Sequence, residues 1–368
     1  MRIFITAGDP SADIHAANLM AAIREHFPDV AFDGFGGPAM EMQGLHTLAP
    51  IKNLAVSGYW EVIKHLGFFR GLMHRCSDAL AARKYSVFIP VDYPGFNLRL
   101  AAVARRRQIP VCWYIAPQLW AWGKKRAPQL ARVVNRLLVV FPFEVEFFEQ
   151  YGISTRFVGH PLKDVIDGSD QYVPNSVVVL PGSRRNELAH HVPLLAMVAG
   201  EVLSQGIAKL VTVPAAPGIQ SELLLPLADA GATIVADSHA ALRSSAAGLI
   251  KAGTSTLEAA VMGLPFATFY KTSWASYQIG KHFINISTVT MANHLLQRNV
   301  VHEFLQHKAT VKALIRELED LLHNHERRRE LQNAFAEVRR LLGGSHERNP
   351  AQRAADAVAE LLATRRVL

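Results

Sequence analysis

Cysteine is almost missing from the chain: Cys76 and Cys112 are the only two in 368 residues. Two thiols without CxxC spacing form neither a disulfide framework nor a zinc or redox motif, and they read as small apolar residues kept reduced. Long apolar runs are missing too. A run such as Leu137 to Phe143 has strand length and is interrupted by Pro142, so no stretch is expected to cross a bilayer. No basic segment followed by an apolar one stands at the N-terminus, which opens on Arg2-Ile3-Phe4-Ile5-Thr6; a strand is expected there, and no secretory leader. No His, Cys, Asp or Glu residues stand at metal-ligand spacing and Asp-x-Asp does not occur, so no metal is expected. Neither GxGxxG nor GxxxxGK is found, which disfavours a dinucleotide enzyme or a P-loop ATPase.

Positive charge, by contrast, is in excess: 39 Lys and Arg stand against 31 Asp and Glu, for a formal net charge of +8. Much of it is clustered, as in Arg105-Arg106-Arg107, Lys124-Lys125-Arg126 and Arg327-Arg328-Arg329. Taken singly, each cluster reads as a solvated helix face. Their sum points to anionic partners. No zinc-ligand, recognition-helix or aromatic RNA-binding pattern accompanies them, so nucleic acid is not expected, and acidic lipid or phosphorylated substrates remain.

The length exceeds one ordinary core and suits two domains. In the first half, strand-like runs at Arg2 to Thr6, Val87 to Val91, Val111 to Ile115 and Arg136 to Val140 alternate with helical segments such as Ile14 to His26 and Asn97 to Arg107. A polar, turn-rich stretch from Gly168 to Asn175 precedes a second alternating block. Its strands are expected at Ser176 to Leu180, Ala208 to Val213, Thr233 to Val235, Ala247 to Ile250 and Pro265 to Phe269. Beyond about Thr310 the pattern is helical, over Val311 to Leu322, Arg327 to Leu342 and Ala351 to Thr364, with Asn349-Pro350 opening the last. Such alternation produces parallel sheets covered on both faces. The expected architecture is α/β: Rossmann-like, doubly wound domains at 1–168 and 169–342, and a C-terminal helical tail at 343–368 that packs back on the first. A ligand would sit in the cleft outside the carboxyl ends of the strands.

Several motifs fall at such strand ends. Gly182-Ser183-Arg184 links a strand to a helix, where glycine permits close approach of a phosphate and the helix start offers free N–H groups. An ordinary turn explains the same residues equally well. Lys251-Ala252-Gly253-Thr254-Ser255-Thr256-Leu257-Glu258 repeats the arrangement, with Glu258 placed to accept ribose hydroxyls or to complete a capping box. Two such loops raise the odds for a nucleotide. Gly8-Asp9-Pro10-Ser11-Ala12-Asp13 either lines the cleft or caps the first helix. Asp92, ahead of Tyr93-Pro94-Gly95-Phe96-Asn97, is a candidate general base or a turn former. Trp120 and Trp122 suit sugar or acyl contact as well as a core, and His160 reads as a cleft or hinge histidine. Between Val62 and Cys76, Phe68, Phe69, Leu72 and Met73 mix with Lys64, Arg70 and Arg75, as in an interfacial helix or a buried one.

Read in order, these motifs, together with Gly36-Gly37-Pro38-Ala39-Met40, Pro117-Gln118-Leu119-Trp120-Ala121-Trp122, Pro142-Phe143-Glu144 and Val158-Gly159-His160-Pro161, resemble the lipid-A-disaccharide synthase family from residue 1 to about 306. The resemblance implies an inverting glycosyltransferase of GT-B type. Such an enzyme joins UDP-2,3-diacylglucosamine to 2,3-diacylglucosamine 1-phosphate (lipid X) in a β-1,6 link and releases UDP, with no metal or other cofactor. It implies a cytoplasmic enzyme held peripherally on the anionic inner face of the inner membrane, and in some members a homodimer with exchanged C-terminal tails. By the same resemblance Asp92 is the essential aspartate, and Arg184, Glu258 and Asn293 belong to the donor site with Gly182, Ser183, Gly253, Thr254, Ser255 and Thr256. Asp9, Ser11, Asp13, Asn97, Gln118, Trp120, Trp122 and His160 would line the acceptor side or the cleft, and Phe68, Phe69, Leu72 and Met73 would meet the membrane. The chain departs from the family pattern at Asp9, Ala12, Ala292 and Asn299.

Two rivals stand beside this expectation. One is another UDP-sugar enzyme on the same frame, with a different acceptor or a 2-epimerase activity. The other is a catalytically weak paralogue that binds nucleotide-sugar or lipid.

Overall fold

A computed structural model describes residues 1–50, 66–162, 172–216, 218–273, 288–343 and 348–364. The chain forms two compact units, one of Met1–Pro161 with Leu342–Leu368 and one of Leu162–Leu341. The boundary expected at 168/169 lies outside the described residues, as do Val62 to His65.

In the first unit the strands are β1 (Arg2–Ala7), β2 (Ala31–Gly36), β3 (Leu45–Pro50), β4 (Val87–Val91), β5 (Cys112–Tyr114), β6 (Arg136–Val139) and β7 (Thr155–Phe157). They make one parallel sheet in the order β3-β2-β1-β4-β5-β6-β7. Central strands of such a sheet are buried on both faces, and β4 is buried at every residue. Side chains alternate between two cores. Ile3 and Ile5 join a cluster with Leu19, Met20 and Ile23 of the helix Pro10–His26, while Phe4 points to the other face with Phe88, Leu100 and Trp113.

The C-terminal helix Pro350–Thr364 completes the first of these clusters with Ala351, Ala354, Ala355, Ala357 and Val358. Its alanines let it lie close against the helix Pro10–His26. Asp356 then pairs with His26 at 2.9 Å and Arg348 at 2.7 Å, and Glu360 with Arg156 at 2.6 Å.

In the second unit β8 (Val173–Leu180), β9 (Leu210–Pro214), β10 (Thr233–Val235), β11 (Ser245–Lys251), β12 (Phe266–Tyr270) and β13 (Glu303–Leu305) form a parallel sheet in the order β10-β9-β8-β11-β12-β13. Helices Arg185–Ser204, Val311–His323 and His325–Leu341 belong to this unit. The basic run at 327–329 is not wholly solvated. Arg328 is buried, donating from Nη1 to the carbonyls of Ala246 at 2.7 Å and Leu321 at 2.8 Å. Among the described residues no helix is long and apolar enough to cross a membrane.

Candidate functional site

Each sheet reverses its strand order once, and in such folds the loops at that point leave a crevice open for a ligand. In the first unit the reversal lies between β1 and β4. The loops there carry Gly8-Asp9 and Asp92-Tyr93.

Asp92 and Tyr93 both adopt left-handed backbone, with φ of 45° and 52°. For residues with a Cβ this costs roughly 1–2 kcal/mol each and persists only where surroundings enforce it. Four contacts do so. The Asp92 amide donates to the Tyr114 carbonyl at 3.1 Å, tying the end of β4 to β5. Asn97 Nδ2 donates to the Asp92 carbonyl at 2.7 Å, and Asn97 Oδ1 accepts from Thr6 Oγ1 at 2.9 Å. Tyr93 packs over Gly8 so closely that a Cβ on that glycine would lie 2.2 Å from the Tyr93 ring. The turn thus fixes the backbone that carries the Asp92 carboxyl. Burial, reinforced by the charge of Asp9, pushes that carboxyl up to about 6.

Nearby lies a carboxylate whose role the sequence did not reveal. Glu144, fully buried, accepts from Trp120 Nε1 at 3.0 Å and from the Phe141 amide at 3.1 Å. Burial pushes it up to about 8, and the charge of Asp92 adds to the shift. His160 rests on the Phe141 ring with centroids 5.1 Å apart, and burial pushes its imidazole down to about 3, so it is neutral at ordinary pH.

Other expected cleft residues are spent on the fold. Asp13 is buried and accepts from the amides of Gly37 (2.7 Å), Ala39 (3.0 Å) and Met40 (3.1 Å), anchoring the helix Pro38–Met42. Asp9 caps its own helix by accepting from the Ala12 amide at 2.9 Å. Asn97 is the brace just described and is closed to solvent. Ser11 and Gln118 are exposed. The two tryptophans part company: Trp120 is buried on Glu144 and Phe143, whereas Trp122 is 54% exposed. Of the expected membrane residues, Leu72 is fully enclosed in the core because it lies on the inner face of the helix Leu66–Ala82. Phe68, Phe69 and Met73 also pack, half-buried, against that core.

In the second unit the reversal lies between β8 and β11. The two phosphate-loop candidates occupy it. Gly182 and Gly253 have φ of 112° and 145°, conformations that glycine alone adopts freely. The helices Arg185–Ser204 and Thr254–Val261 that follow have no side-chain cap at their N-termini. Their leading N–H groups therefore keep the anion-attracting character of an open helix end. Ser183, Arg184 and Thr254 are exposed and Ser255 is half-buried. Glu258 is half-buried, its carboxyl makes no hydrogen bond among the described residues, and burial pushes that carboxyl up.

Two expected donor contacts face inward instead. Thr256 is buried and donates to the Gly253 carbonyl at 2.7 Å, bracing its own loop. Asn293 is saturated. Its Oδ1 accepts from Val300 (2.9 Å) and Val301 (2.8 Å) amides, while Nδ2 donates to the Val301 carbonyl (2.8 Å) and Glu303 Oε1 (3.1 Å). An amide side chain has two donors and two acceptor sites, so none is left for a ligand. Asn293 shapes the segment before β13, and its neighbour Ala292 is buried as well.

Three further polar residues complete this edge. Glu187 is buried between Arg184 (3.0 Å) and Lys251 (3.3 Å). His191 bridges the Pro181 carbonyl (2.6 Å) and the Lys271 amide (3.1 Å). Because Nε2 accepts from an amide, Nδ1 carries the proton that is donated to Pro181.

Over residues 3–358 the sequence matches the family model described as lipid-A-disaccharide synthetase. The chain belongs to that family. A lipid-A-disaccharide synthase of Anaeromyxobacter dehalogenans strain 2CP-C is 35% identical over 357 residues, covering 93% of each chain. Membership in the lipid-A-disaccharide synthetase family makes the chain a glycosyltransferase of lipid A biosynthesis. Solved structures agree on the GT-B fold. The UDP-GlcNAc 2-epimerase of Neisseria meningitidis bound to UDP-GlcNAc superimposes with a TM-score of 0.62 at 10% identity, covering 99% of this chain and 100% of that one. CalG4, the calicheamicin glycosyltransferase, gives 0.61 at 15% identity, covering 99% and 98%. At such identities the likeness speaks for the fold alone.

Proposed function

We propose that the chain transfers 2,3-diacylglucosamine from UDP-2,3-diacylglucosamine to the 6-hydroxyl of 2,3-diacylglucosamine 1-phosphate. The products are the β-1,6-linked disaccharide 1-phosphate and UDP. The observation that carries this reading, beyond family membership, is the Asp92 carboxyl held on an enforced left-handed turn at the first sheet's reversal, with its pKa raised to about 6. A base so tuned is ionised at neutral pH yet binds a proton more readily than an ordinary aspartate. In the reaction the acceptor oxygen bonds to the anomeric carbon as the bond to the diphosphate oxygen breaks, with inversion. The acceptor proton passes to Asp92. The departing diphosphate leaves as UDP, its charge met by Arg184 and the open helix starts of the second unit. No metal takes part.

The lipid substrates place the enzyme at the anionic inner face of the inner membrane. Exposed Trp122, followed by the exposed Lys124, Lys125 and Arg126, supports this reading. An interfacial tryptophan anchors, and each basic residue near an acidic surface adds about 1 kcal/mol.

The test is turnover of the two lipid substrates in detergent with excess EDTA, following UDP release and the disaccharide by mass spectrometry. Disaccharide is expected. UDP release or epimerised UDP-sugar without acceptor points to the 2-epimerase reading, and bound donor with no product on this acceptor overturns the assignment.

A further inference from the structure

Glu187 is a buried carboxylate, about 6% exposed, with a cation on each oxygen: Arg184 Nη1 lies 3.0 Å from Oε1 and Lys251 Nζ 3.3 Å from Oε2. The three residues flank the two loops at the second sheet's reversal, with Glu187 in the first turn of the helix Arg185–Ser204. Arg184 follows Gly182 beyond β8, and Lys251 is the last residue of β11, two before Gly253. Both glycines are shaped around this group. A Cβ on Gly182 would lie 2.7 Å from Glu187 Oε2 and 3.5 Å from Lys251 Cδ, and a Cβ on Gly253 would lie 3.2 Å from Lys251 Nζ.

A buried ion pair is a poor way to fasten a fold, since desolvation offsets most of the attraction. Here, moreover, the charges do not balance. One carboxylate serves two cations, which leaves a net positive charge beside two uncapped helix starts. Arg184 projects outward, 70% exposed, while Lys251 is held at 17%. An exposed cation and a largely enclosed one, both paired with a single buried carboxylate, match a ligand with two linked anionic groups.

We propose that Lys251 and Arg184 form a cation clamp for the donor diphosphate, and that Glu187 is the positioning residue that holds both in place. This rests on the reading of the second unit as the donor site. The sequence quotes Lys251 within its motif but shows no reason to pair it with Glu187, which lies in the first turn of the helix Arg185–Ser204.

Calorimetric titration of the full chain with UDP, inorganic pyrophosphate and uridine tests the clamp. Lys251→Met is expected to weaken UDP and pyrophosphate about tenfold or more, a change of about 1.4 kcal/mol, and to leave uridine within about twofold. Lys251→Arg keeps the charge and is expected to stay within about threefold of the parent for UDP. Glu187→Gln preserves shape without anchoring the cations, and its expected effect is a UDP loss of about threefold to tenfold with uridine unchanged. Equal weakening of uridine and UDP would show a fold staple and overturn the proposal, as would unchanged UDP affinity in Lys251→Met. Parent protein that binds pyrophosphate but not UDP would leave the clamp standing and remove the uridine-nucleotide donor. Binding of neither would remove both.

Discussion

A carboxylate accepts a proton only while it is ionised, so the raised pKa of Asp92 sets an acid limit on catalysis. Its folded value near 6 lies above the ordinary aspartate value near 3.8. kcat/KM is therefore expected to fall about tenfold per pH unit below roughly pH 6 and to level off above it. A pH–rate profile that stays flat from pH 5 to 8 contradicts that. The same shift costs stability: the folded chain binds this proton more tightly than the unfolded chain, so stability declines as pH rises from about 4 to 6. The sequence marks Asp92 as a candidate because a carboxylate at a strand end is suspect, and the folded chain sets it at the first sheet's reversal. Asn97, in the same strand-end motif, and Asn293, placed in the donor site by the family resemblance, are internal braces whose partners, Thr6 and Val300-Val301, are set by the folded chain. Glu144 and Glu187 went unassigned for the same reason. Their partners Trp120 and Lys251 lie 24 and 64 positions away.

Strands rich in Val, Leu and Ile, such as β4 and β8, could be read directly. β2 could not, because Ala31–Gly36 carries Asp33, Gly34 and Gly36 and looks like a turn. Asp33 is there because Arg2, Arg83 and Tyr85 converge on it at 2.8, 3.1 and 2.8 Å. Gly34 is there because a Cβ would collide with the Ile5 carbonyl at 1.7 Å. The short β7 and β13 carry Arg156 and Glu303 among their three residues and so lack the β-branched run that marks the equally short β10. Asp13 makes its claim at this scale, since it stabilises a neighbouring helix rather than a ligand. Asp13→Ala strands three amides at the start of the helix Pro38–Met42, and a loss of about 1–3 kcal/mol is expected. Chemical denaturation measures it. An unchanged midpoint with a large loss of acceptor affinity would return Asp13 to the binding site.

At the scale of the whole chain, the first unit is discontinuous: its core closes only when the C-terminal helix returns to it. The sequence pattern located that helix to within a residue, since its alanine-rich face and Asn349-Pro350 start are local features. Val358 is fully buried. Val358→Asp places an unpaired carboxylate there and is expected to cost the first unit about 3 kcal/mol or more. Hydrogen exchange reads the units separately. Amides of β1 and the helix Pro10–His26 should lose protection while those of β8 and β11 keep theirs. Unchanged protection in β1 would mean that the tail does not hold this core.

The most direct measurement compares Asp92→Asn with the parent for turnover and for UDP binding on the same preparation. Asparagine tolerates the left-handed turn, so the backbone is kept while the base is removed. The account predicts a loss of about 10²–10⁴-fold in kcat with UDP affinity unchanged. Turnover at the parent's rate would contradict the role given to Asp92, and with it the chemistry assigned to this site.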